Sequence, residues 1–391
     1  MPSRRRIYLD NAATSWPKPE EVYAAVDRFQ RELGAPAGRS AYAEASEAAQ
    51  AVDAARQAVA RLIGAADFRR IIFTQNGTDS LNLALHGLLR PGDHVVSSVV
   101  EHNSILRPLR ALEDAGTIEV TRVGCDAQGV IDPTAVQAAL RPNTRLLALA
   151  HASNVTGALQ PALEFAEIAH RHGALFLLDA AQSLGHLPLD VRKIPVDLLA
   201  APGHKGLLGP LGTGVLYVAP GVEEHLHSAR QGGTGSRSED DRQPGELPDK
   251  YEAGNLNVPG ILGLGAGVRW LEGRGLDEIR RHDLRLAARL LAGISGISGV
   301  EVYGPPAGEG RLGVVSCSLR DYDPQEAAAM LDAACRVQAR AGLHCAPLMH
   351  RALGTLERGG TLRFSIGPFN TTDDIETAVE AVRELSTAGV S

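Results

Sequence analysis

The sequence has few cysteines, and they do not form a metal-binding or disulfide-rich pattern. Its 391 residues include four cysteines, Cys125, Cys317, Cys335 and Cys345, and no two of them form a Cys-x-x-Cys pair. This spacing argues against a structural zinc site. Few, scattered cysteines are also typical of a reducing compartment. We therefore predict no metal ion, no disulfide and a cytoplasmic location.

Long apolar runs and an excess of basic residues are also lacking. No run approaches the ~20 apolar residues that span a bilayer, and the chain does not open with a signal-peptide pattern. The net charge is −7, and the basic run Arg4–Arg6 is short. Neither nucleic acid nor a membrane is therefore predicted as a partner. Hydrophobic residues make up 44% of the chain, which suits a folded protein with a large core.

Short apolar runs and helical patterns alternate through the first part of the chain. The predicted strands are Ile71–Thr74, Val95–Val100, Ile118–Val123, Arg145–Ala150, Ala174–Asp179, Val196–Ala200 and Gly214–Val218. The predicted helices include Tyr42–Ile63, Asp79–Leu89, Asp132–Leu140 and Pro161–His172. Several strands are apolar at almost every position, as in strands whose two faces are both covered. The pattern predicts an α/β fold with a mostly parallel central sheet and helices on both faces.

The pattern changes after residue 257 and predicts a smaller α+β domain. Its predicted helices are Val258–Glu272, Leu276–Leu291, Pro324–Cys335 and Thr371–Leu385, and its predicted strands are Val300–Tyr303, Gly313–Leu319 and Leu362–Ile366. We assign residues 15–257 to a large domain and residues 1–14 and 258–391 to the small one. The polar segment Gln231–Lys250 between them is predicted to be a functional or disordered loop.

One lysine and one carboxylate suggest the chemistry. Lys205 lies in a glycine-rich turn just after an apolar run, and Asp179 ends the preceding apolar run. Pyridoxal phosphate (PLP) needs a lysine amine for its aldehyde and a carboxylate that keeps its ring nitrogen protonated, which makes the ring an electron sink. The pair therefore points to PLP as the cofactor.

Nine short segments in a fixed order extend this interpretation over the whole chain. They are Tyr8–Thr14, Asn76–Asn82, Val100–Ser104, Ser153–Gly157, Leu178–Ser183, Gly203–Lys205, Gly232–Gly235, Arg340–Ala346 and Leu362–Asn370. Together they resemble the class V aminotransferase group of fold type I PLP enzymes, and within it the cysteine desulfurases of the SufS-like kind. The resemblance implies the fold of a fold type I PLP-dependent transferase.

The resemblance also implies a set of cofactor-binding residues. They are Gly77, Thr78, His102, Asn154, Asp179, Gln182, His204, Lys205 and Thr234. Gly77, Thr78 and His204 would bind the phosphate, His102 would stack on the ring and move protons, and Thr234 would reach the phosphate of a neighbouring subunit in a homodimer. The residues alone leave simpler alternatives open. These are a helix cap by Thr78 or Asp79, a structural role for His102, and a flexible linker around Thr234.

One position departs from the family pattern. Pro202 stands two residues before His204, where the family often has serine or threonine. Proline has no hydroxyl group and no backbone N–H, so one donor to the phosphate is missing. Another donor or a water molecule has to replace it.

Arg363 and Cys345 narrow the reaction. Arg363 lies in a predicted apolar strand, where an arginine is either part of a buried ion pair or binds a carboxylate. The resemblance implies that it binds the substrate α-carboxylate, with Ala12, Ala13, Asn154 and Arg340 also at the substrate. Cys345 is either a packed cysteine or the thiol that accepts sulfur, and cationic neighbours favour a reactive thiolate. The resemblance implies the second role.

The implied activity is PLP-dependent conversion of L-cysteine to L-alanine, with Lys205, Cys345 and His102 as catalytic residues. The sulfur would leave as a persulfide on Cys345 and pass to an acceptor protein. The residues leave open whether the sulfur serves iron–sulfur clusters, thiolated tRNA or a cofactor. They also leave open a selenocysteine lyase, another class V lyase or aminotransferase, and a non-catalytic sulfur-trafficking subunit, since a fold does not fix a reaction.

Overall fold

The computed structural model describes residues 5–38 and 40–388. The strands are β1 (Ile7–Tyr8), β2 (Ile71–Thr74), β3 (Asp93–Ser98), β4 (Ile118–Val123), β5 (Thr144–Ala150), β6 (Leu175–Asp179), β7 (Leu198–Pro202), β8 (Gly214–Val218), β9 (Val300–Tyr303), β10 (Val314–Leu319), β11 (Val337–Gln338), β12 (Arg340–Gly342) and β13 (Thr361–Ser365). Every strand predicted from the sequence is present, with ends shifted by a few residues.

The helices alternate with these strands. They are α1 (Glu20–Arg28), α2 (Ala43–Leu62), α3 (Gly77–Leu88), α4 (Asn103–Asp114), α5 (Pro133–Ala138), α6 (Ala162–His172), α7 (Val258–Arg274), α8 (Leu276–Ile294), α9 (Pro324–Cys335), α10 (Pro347–Ala352) and α11 (Thr372–Ala388). Shorter helical turns are Phe29–Leu33, Phe68–Arg70, Val222–Glu224 and Leu356–Arg358. No helix among the described residues is long and apolar enough to cross a membrane.

The large sheet has seven strands in the order β2-β8-β7-β6-β5-β3-β4. All neighbouring pairs are parallel except those of β8, which is antiparallel to both β2 and β7. Six of the seven strands therefore point the same way, as the mostly parallel sheet predicted from the sequence requires. Their carboxyl ends meet at one edge of the sheet.

Helices cover both faces of this sheet. Alternate strand residues point to opposite faces, so Leu147 and Leu149 pack in one apolar core with α2, α6 and α7. Leu146 and Ala148 pack in a second core with α3 and α4. The prediction of helices on both faces is confirmed.

The smaller sheet is formed by the second half of the chain and shares its core with β1. Its four strands have the order β12-β13-β10-β9, with antiparallel pairing throughout. Next to it β1 pairs in parallel with β11, and α8, α9 and α11 share its core. Helix α7 packs instead in the core of the large sheet. The division into domains at residue 257 stays a prediction. The segment Gln231–Lys250 contains no helix or strand, as expected for a loop.

Candidate active site

A cavity of about 220 Å³ lies where five parallel strands of the large sheet end. Residues that line it follow β2, β3, β5, β6 and β7 directly in the sequence. Open α/β sheets bind ligands at the carboxyl ends of their strands, because the loops there are free to carry functional side chains. The topology therefore places this cavity where a ligand site is expected.

Most of the predicted site residues line this cavity. They are Ala13, Gly77, Thr78, His102, Asn154, Asp179, Gln182, His204, Lys205 and Arg340. The structure thus brings together side chains that are up to 327 residues apart in sequence (340 − 13). Four predicted residues do not line it, namely Ala12, Thr234, Cys345 and Arg363, and each has a distinct surrounding.

One end of the cavity has the features of a phosphate site. Helix α3 begins at Gly77, and the Asn76 side chain caps it by accepting a hydrogen bond from the Asp79 N–H at 2.9 Å. The cap is therefore Asn76, and neither Thr78 nor Asp79. A helix N-terminus presents free N–H groups and a partial positive charge to an anion. Nδ1 of His204 is buried here without a hydrogen-bond partner in the described part of the chain. These donors fit the phosphate of PLP.

Lys205 and Asp179 lie together at the base of the cavity. The pKa of Lys205 is lowered from 10.5 to about 8, mainly by burial and also by Arg363 and Arg340, against the opposing effect of Asp179 and Cys345. Burial raises the pKa of Asp179, and Lys205 opposes that rise. A buried carboxylate is stable only with a cationic partner. The pair therefore fits an amine that bonds an aldehyde and a carboxylate that faces a protonated ring nitrogen.

His102 has a defined tautomer. It is the N-cap of α4, and its Nδ1 accepts a hydrogen bond from the Ser104 N–H at 3.0 Å. Burial, with Lys205 and other nearby cations, lowers its pKa to about 4. The ring is therefore neutral at physiological pH, and because Nδ1 accepts, its proton is on Nε2.

Arg363 is completely buried in β13 and belongs to an ion pair. Its Nη2 donates to Asp10 Oδ1 at 2.9 Å, and its Nη1 donates to the Asn154 carbonyl at 3.0 Å. Its Nε is buried without a partner in the described part of the chain. Both alternatives from the sequence thus keep support, since an ion pair exists and the guanidinium, which has five N–H donors, uses only two of them in these bonds. The substrate role of Arg363 stays a prediction.

Cys345 lies in a tight, strained turn beside the cavity. His344 and Cys345 both have left-handed backbone conformations, with φ of 49° and 59°, which cost energy for residues other than glycine. The turn is held by hydrogen bonds from Asn103 N–H to the Cys345 carbonyl at 2.7 Å and from the Asn154 amide to the His344 carbonyl at 2.6 Å. Cys345 Sγ is 3.7 Å from Arg340 Nη2. The thiol is therefore fixed close to the cavity and to a cation.

Thr234 and Ala12 lie elsewhere. Thr234 lines a second cavity with Arg56 and Glu252, and its hydroxyl bonds within its own loop to Ser236. Ala12 is buried, and its carbonyl accepts a hydrogen bond from the Gln182 amide at 3.2 Å. Neither residue lines the cavity that contains Lys205, so the geometry of this single chain gives neither of them a binding role.

Sequence reasoning gave no role to two residues that the structure places at the site. Ser104 lines the cavity, and Asp10 pairs with Arg363. Both lie inside segments that carried the resemblance, which was the signal that could have drawn attention to them. In the described residues no three His, Cys, Asp or Glu side chains are grouped so that they could hold a metal ion.

Comparison with known proteins agrees with this geometry over the length of the chain. The family described as aminotransferase class-V matches residues 7–377. A protein of Methanothermobacter thermautotrophicus named "Probable cysteine desulfurase" is 38% identical, over 99% of this chain and 96% of that protein. One from Halalkalibacterium halodurans with the same name is 36% identical, over 97% of this chain and 92% of that protein.

A solved structure is also similar to this chain over nearly its whole length. The apo structure of the cysteine desulfurase of Thermococcus onnurineus is similar with a TM-score of 0.92 and 33% identity, covering 98% of this chain and 95% of that one. Enzymes of this family use PLP, which the cavity fits, so the cofactor inferred from Lys205 and Asp179 is that of the family. The chain belongs to the class-V aminotransferase family.

Proposed function

We propose that this protein is a PLP-dependent cysteine desulfurase that converts L-cysteine to L-alanine and carries the sulfur as a persulfide on Cys345. The observation that carries the proposal is the position of the Cys345 thiol, in a hydrogen-bonded turn 3.7 Å from Arg340, which lines the same cavity as Lys205. Relatives over nearly the whole chain have the same activity in their names. An aminotransferase has no need of a thiol at this place.

Lys205 is the proposed base. When bound, PLP supplies an aldehyde that joins to an amine and a ring that withdraws electrons. A lysine with a pKa of about 8 is partly neutral near physiological pH, so its amine can take the Cα proton of the substrate. Asp179 would keep the ring nitrogen protonated, and neutral His102 would donate from Nε2 and help to move protons at the substrate thiol.

Cys345 is the proposed nucleophile toward sulfur. Its thiolate attacks the substrate sulfur, so that an S–S bond forms while the substrate C–S bond breaks and leaves its electron pair on carbon. Protonation of that carbon gives alanine, and the sulfur stays on Cys345 as a persulfide. Arg340 stabilises the thiolate by its charge-assisted contact at 3.7 Å. Arg363 orients the substrate carboxylate. Ala12 and Ala13 would lie near the substrate side chain.

We also propose a cytoplasmic homodimer that delivers sulfur to an acceptor protein. A threonine that resembles a phosphate ligand lies outside its own chain's cavity, which supports a role for Thr234 at the neighbouring subunit. Light scattering of the purified protein tests the dimer. A monomer with full PLP affinity would remove Thr234 from the site.

The test of the function compares Cys345→Ser with Cys335→Ser, a variant of a half-buried cysteine on α9. Purified protein is mixed with L-cysteine and a reductant, and alanine and sulfide are measured together. We expect Cys345→Ser to lose both products while its bound-cofactor absorbance persists, and Cys335→Ser to keep both. Unchanged turnover in Cys345→Ser would refute the thiol mechanism, and pyruvate in place of alanine would indicate β-elimination.

A borohydride experiment tests the cofactor bond separately. Reduction should attach a pyridoxyl group to Lys205, as detected by mass spectrometry of the peptide that contains it. A protein without that adduct would contradict the assignment of Lys205, whatever the result with Cys345.

A further inference from the structure

The phosphate end of the cavity has a gap in its set of donors. Pro202 lines it without a hydroxyl group or a backbone N–H. Its ring packs closely against the start of α3, since a Cβ on Gly77 would lie only 3.1 Å from Pro202 Cδ. A dianionic phosphate in a partly buried site needs several hydrogen-bond donors to offset its loss of water. A water molecule or a donor from another element therefore has to fill this gap.

Ser104 has the required position. It lies in the first turn of α4 and lines the same cavity as Gly77, Thr78 and His204. Its Oγ is 2.7 Å from Thr78 Oγ1, so the hydroxyl groups of two different helices touch. Both helices, of 12 residues each, begin at this point. The positive ends of two helix dipoles and two hydroxyl groups thus converge on one place.

Thr78 and Ser104 together have one hydroxyl hydrogen more than the bond between them needs. Thr78 and Ser104 carry one hydroxyl hydrogen each, and one of the two lies in the bond between them. In the described part of the chain, the other has only Nδ1 of His102, 2.8 Å from Ser104 Oγ, as an alternative acceptor. The single lone pair of that nitrogen already accepts the Ser104 backbone N–H. The Ser104 hydroxyl can therefore turn to an anion in the cavity while Nδ1 of His102 keeps its hydrogen bond from the Ser104 backbone N–H.

We propose that Ser104 supplies the hydroxyl donor that Pro202 lacks, and that it forms with Thr78 a two-hydroxyl site for the phosphate of PLP. The spacing of the two hydroxyl oxygens, 2.7 Å, is similar to that between two oxygens of one phosphate group. Hydroxyl hydrogens rotate, so on binding the hydrogen between Thr78 and Ser104 can also turn to the anion, and each hydroxyl then donates to a different oxygen. This inference rests on the proposed function, because it concerns the same cofactor. It identifies a binding residue on α4 that the sequence pattern of the site did not include.

The test measures the affinity of the full-length protein, freed of cofactor, for PLP and for pyridoxal, which has the same ring and aldehyde without the phosphate. Ser104→Ala should weaken PLP binding by about 10- to 100-fold, the effect of losing one hydrogen bond to a charged group. Its affinity for pyridoxal should stay within about twofold of the wild type. Absorbance of the bound aldehyde gives both dissociation constants.

Two further variants act as controls. Ser80→Ala removes another buried hydroxyl from α3, one that does not line the cavity and bonds Thr74 and the carbonyls of Val215 and Asn76, and should leave both affinities unchanged. Pro202→Ser in the Ser104→Ala background returns a hydroxyl to the phosphate end and should restore most of the PLP affinity. Thermal denaturation of each variant checks that it is folded.

Two outcomes would overturn the inference. The first is a Ser104→Ala variant with wild-type affinity for PLP. The second is an equal loss for PLP and pyridoxal, which would place the effect at His102 and the ring rather than at the phosphate. Wild-type protein that binds no PLP would instead overturn the proposed function, and this inference with it. The three results are distinct.

Discussion

The lowered pKa of Lys205 predicts how fast the protein takes up its cofactor at each pH. Only a neutral amine attacks an aldehyde. With a pKa of about 8 in place of 10.5, about one tenth of the amine is neutral at pH 7, roughly 300-fold more than for an ordinary lysine. The rate of PLP uptake by the cofactor-free protein should therefore rise about tenfold per pH unit below pH 8 and level off above it.

The cause of the lowered pKa can be tested with two opposite changes of charge. Arg340→Gln removes a cation that lowers the pKa of Lys205, so the midpoint of the pH profile should move up. Asp179→Asn removes an anion that raises it, so the midpoint should move down. Each shift should be on the order of one pH unit. Because burial is the largest cause, neither variant should reach the ordinary value of 10.5.

The assay is stopped-flow absorbance of the forming amine–aldehyde bond, with buffers that do not react with PLP. A rate that keeps rising to pH 10 would refute the burial of the amine. Shifts of the same sign in both variants would refute the electrostatic part of the reasoning. A Lys205→Ala variant gives the background rate from other lysines.

Three other predictions follow from buried groups. Glu252→Gln should destabilise the fold by about 3–5 kcal/mol in urea denaturation, because it leaves the buried guanidinium of Arg56 without its carboxylate; a loss below about 1 kcal/mol would contradict this. Arg363→Lys should raise the KM for L-cysteine at least about tenfold with a smaller change in kcat, because a lysine cannot bind a carboxylate with two parallel bonds. An unchanged KM would mean that Arg363 only forms the ion pair with Asp10 and does not bind the substrate. Native protein treated with iodoacetamide should stay unmodified at Cys317, since burial raises the pKa of this thiol to about 12; mass spectrometry after urea unfolding shows the contrast.

The large sheet was predictable because its strands are buried on both faces. Runs such as Ala174–Asp179 are apolar at almost every position, and that pattern excludes an exposed strand or an amphipathic helix. Helix α4 was not predicted. Pro108 lies inside it, and an internal proline argues against a helix because it removes a backbone hydrogen bond, although Ile105, Leu106 and Leu109 have helical spacing. Packing against α3 and the sheet stabilises it in spite of this.

The site was predictable as a set of residues and less so as a geometry. Lys205 and Asp179 follow neighbouring strands, so their proximity comes from the parallel sheet. The partner of Arg363 could not be predicted, because Asp10 is far away in sequence and meets it only through the pairing of the chain ends. The conformation of Cys345 was equally inaccessible, since the two residues in the left-handed region are histidine and cysteine rather than glycine or asparagine.

The pairing of β1 with β11 has a consequence for synthesis on the ribosome. Ile7 and Tyr8 leave the ribosome long before Val337–Gln338, the strand with which they pair. At about 10 residues per second, the first strand waits roughly half a minute for its partner. Meanwhile the seven-stranded sheet can form without it. Nascent chains stalled before residue 337 should therefore acquire protease-resistant structure in the seven-stranded sheet, while the segment that contains Ile7 and Tyr8 is still cleaved.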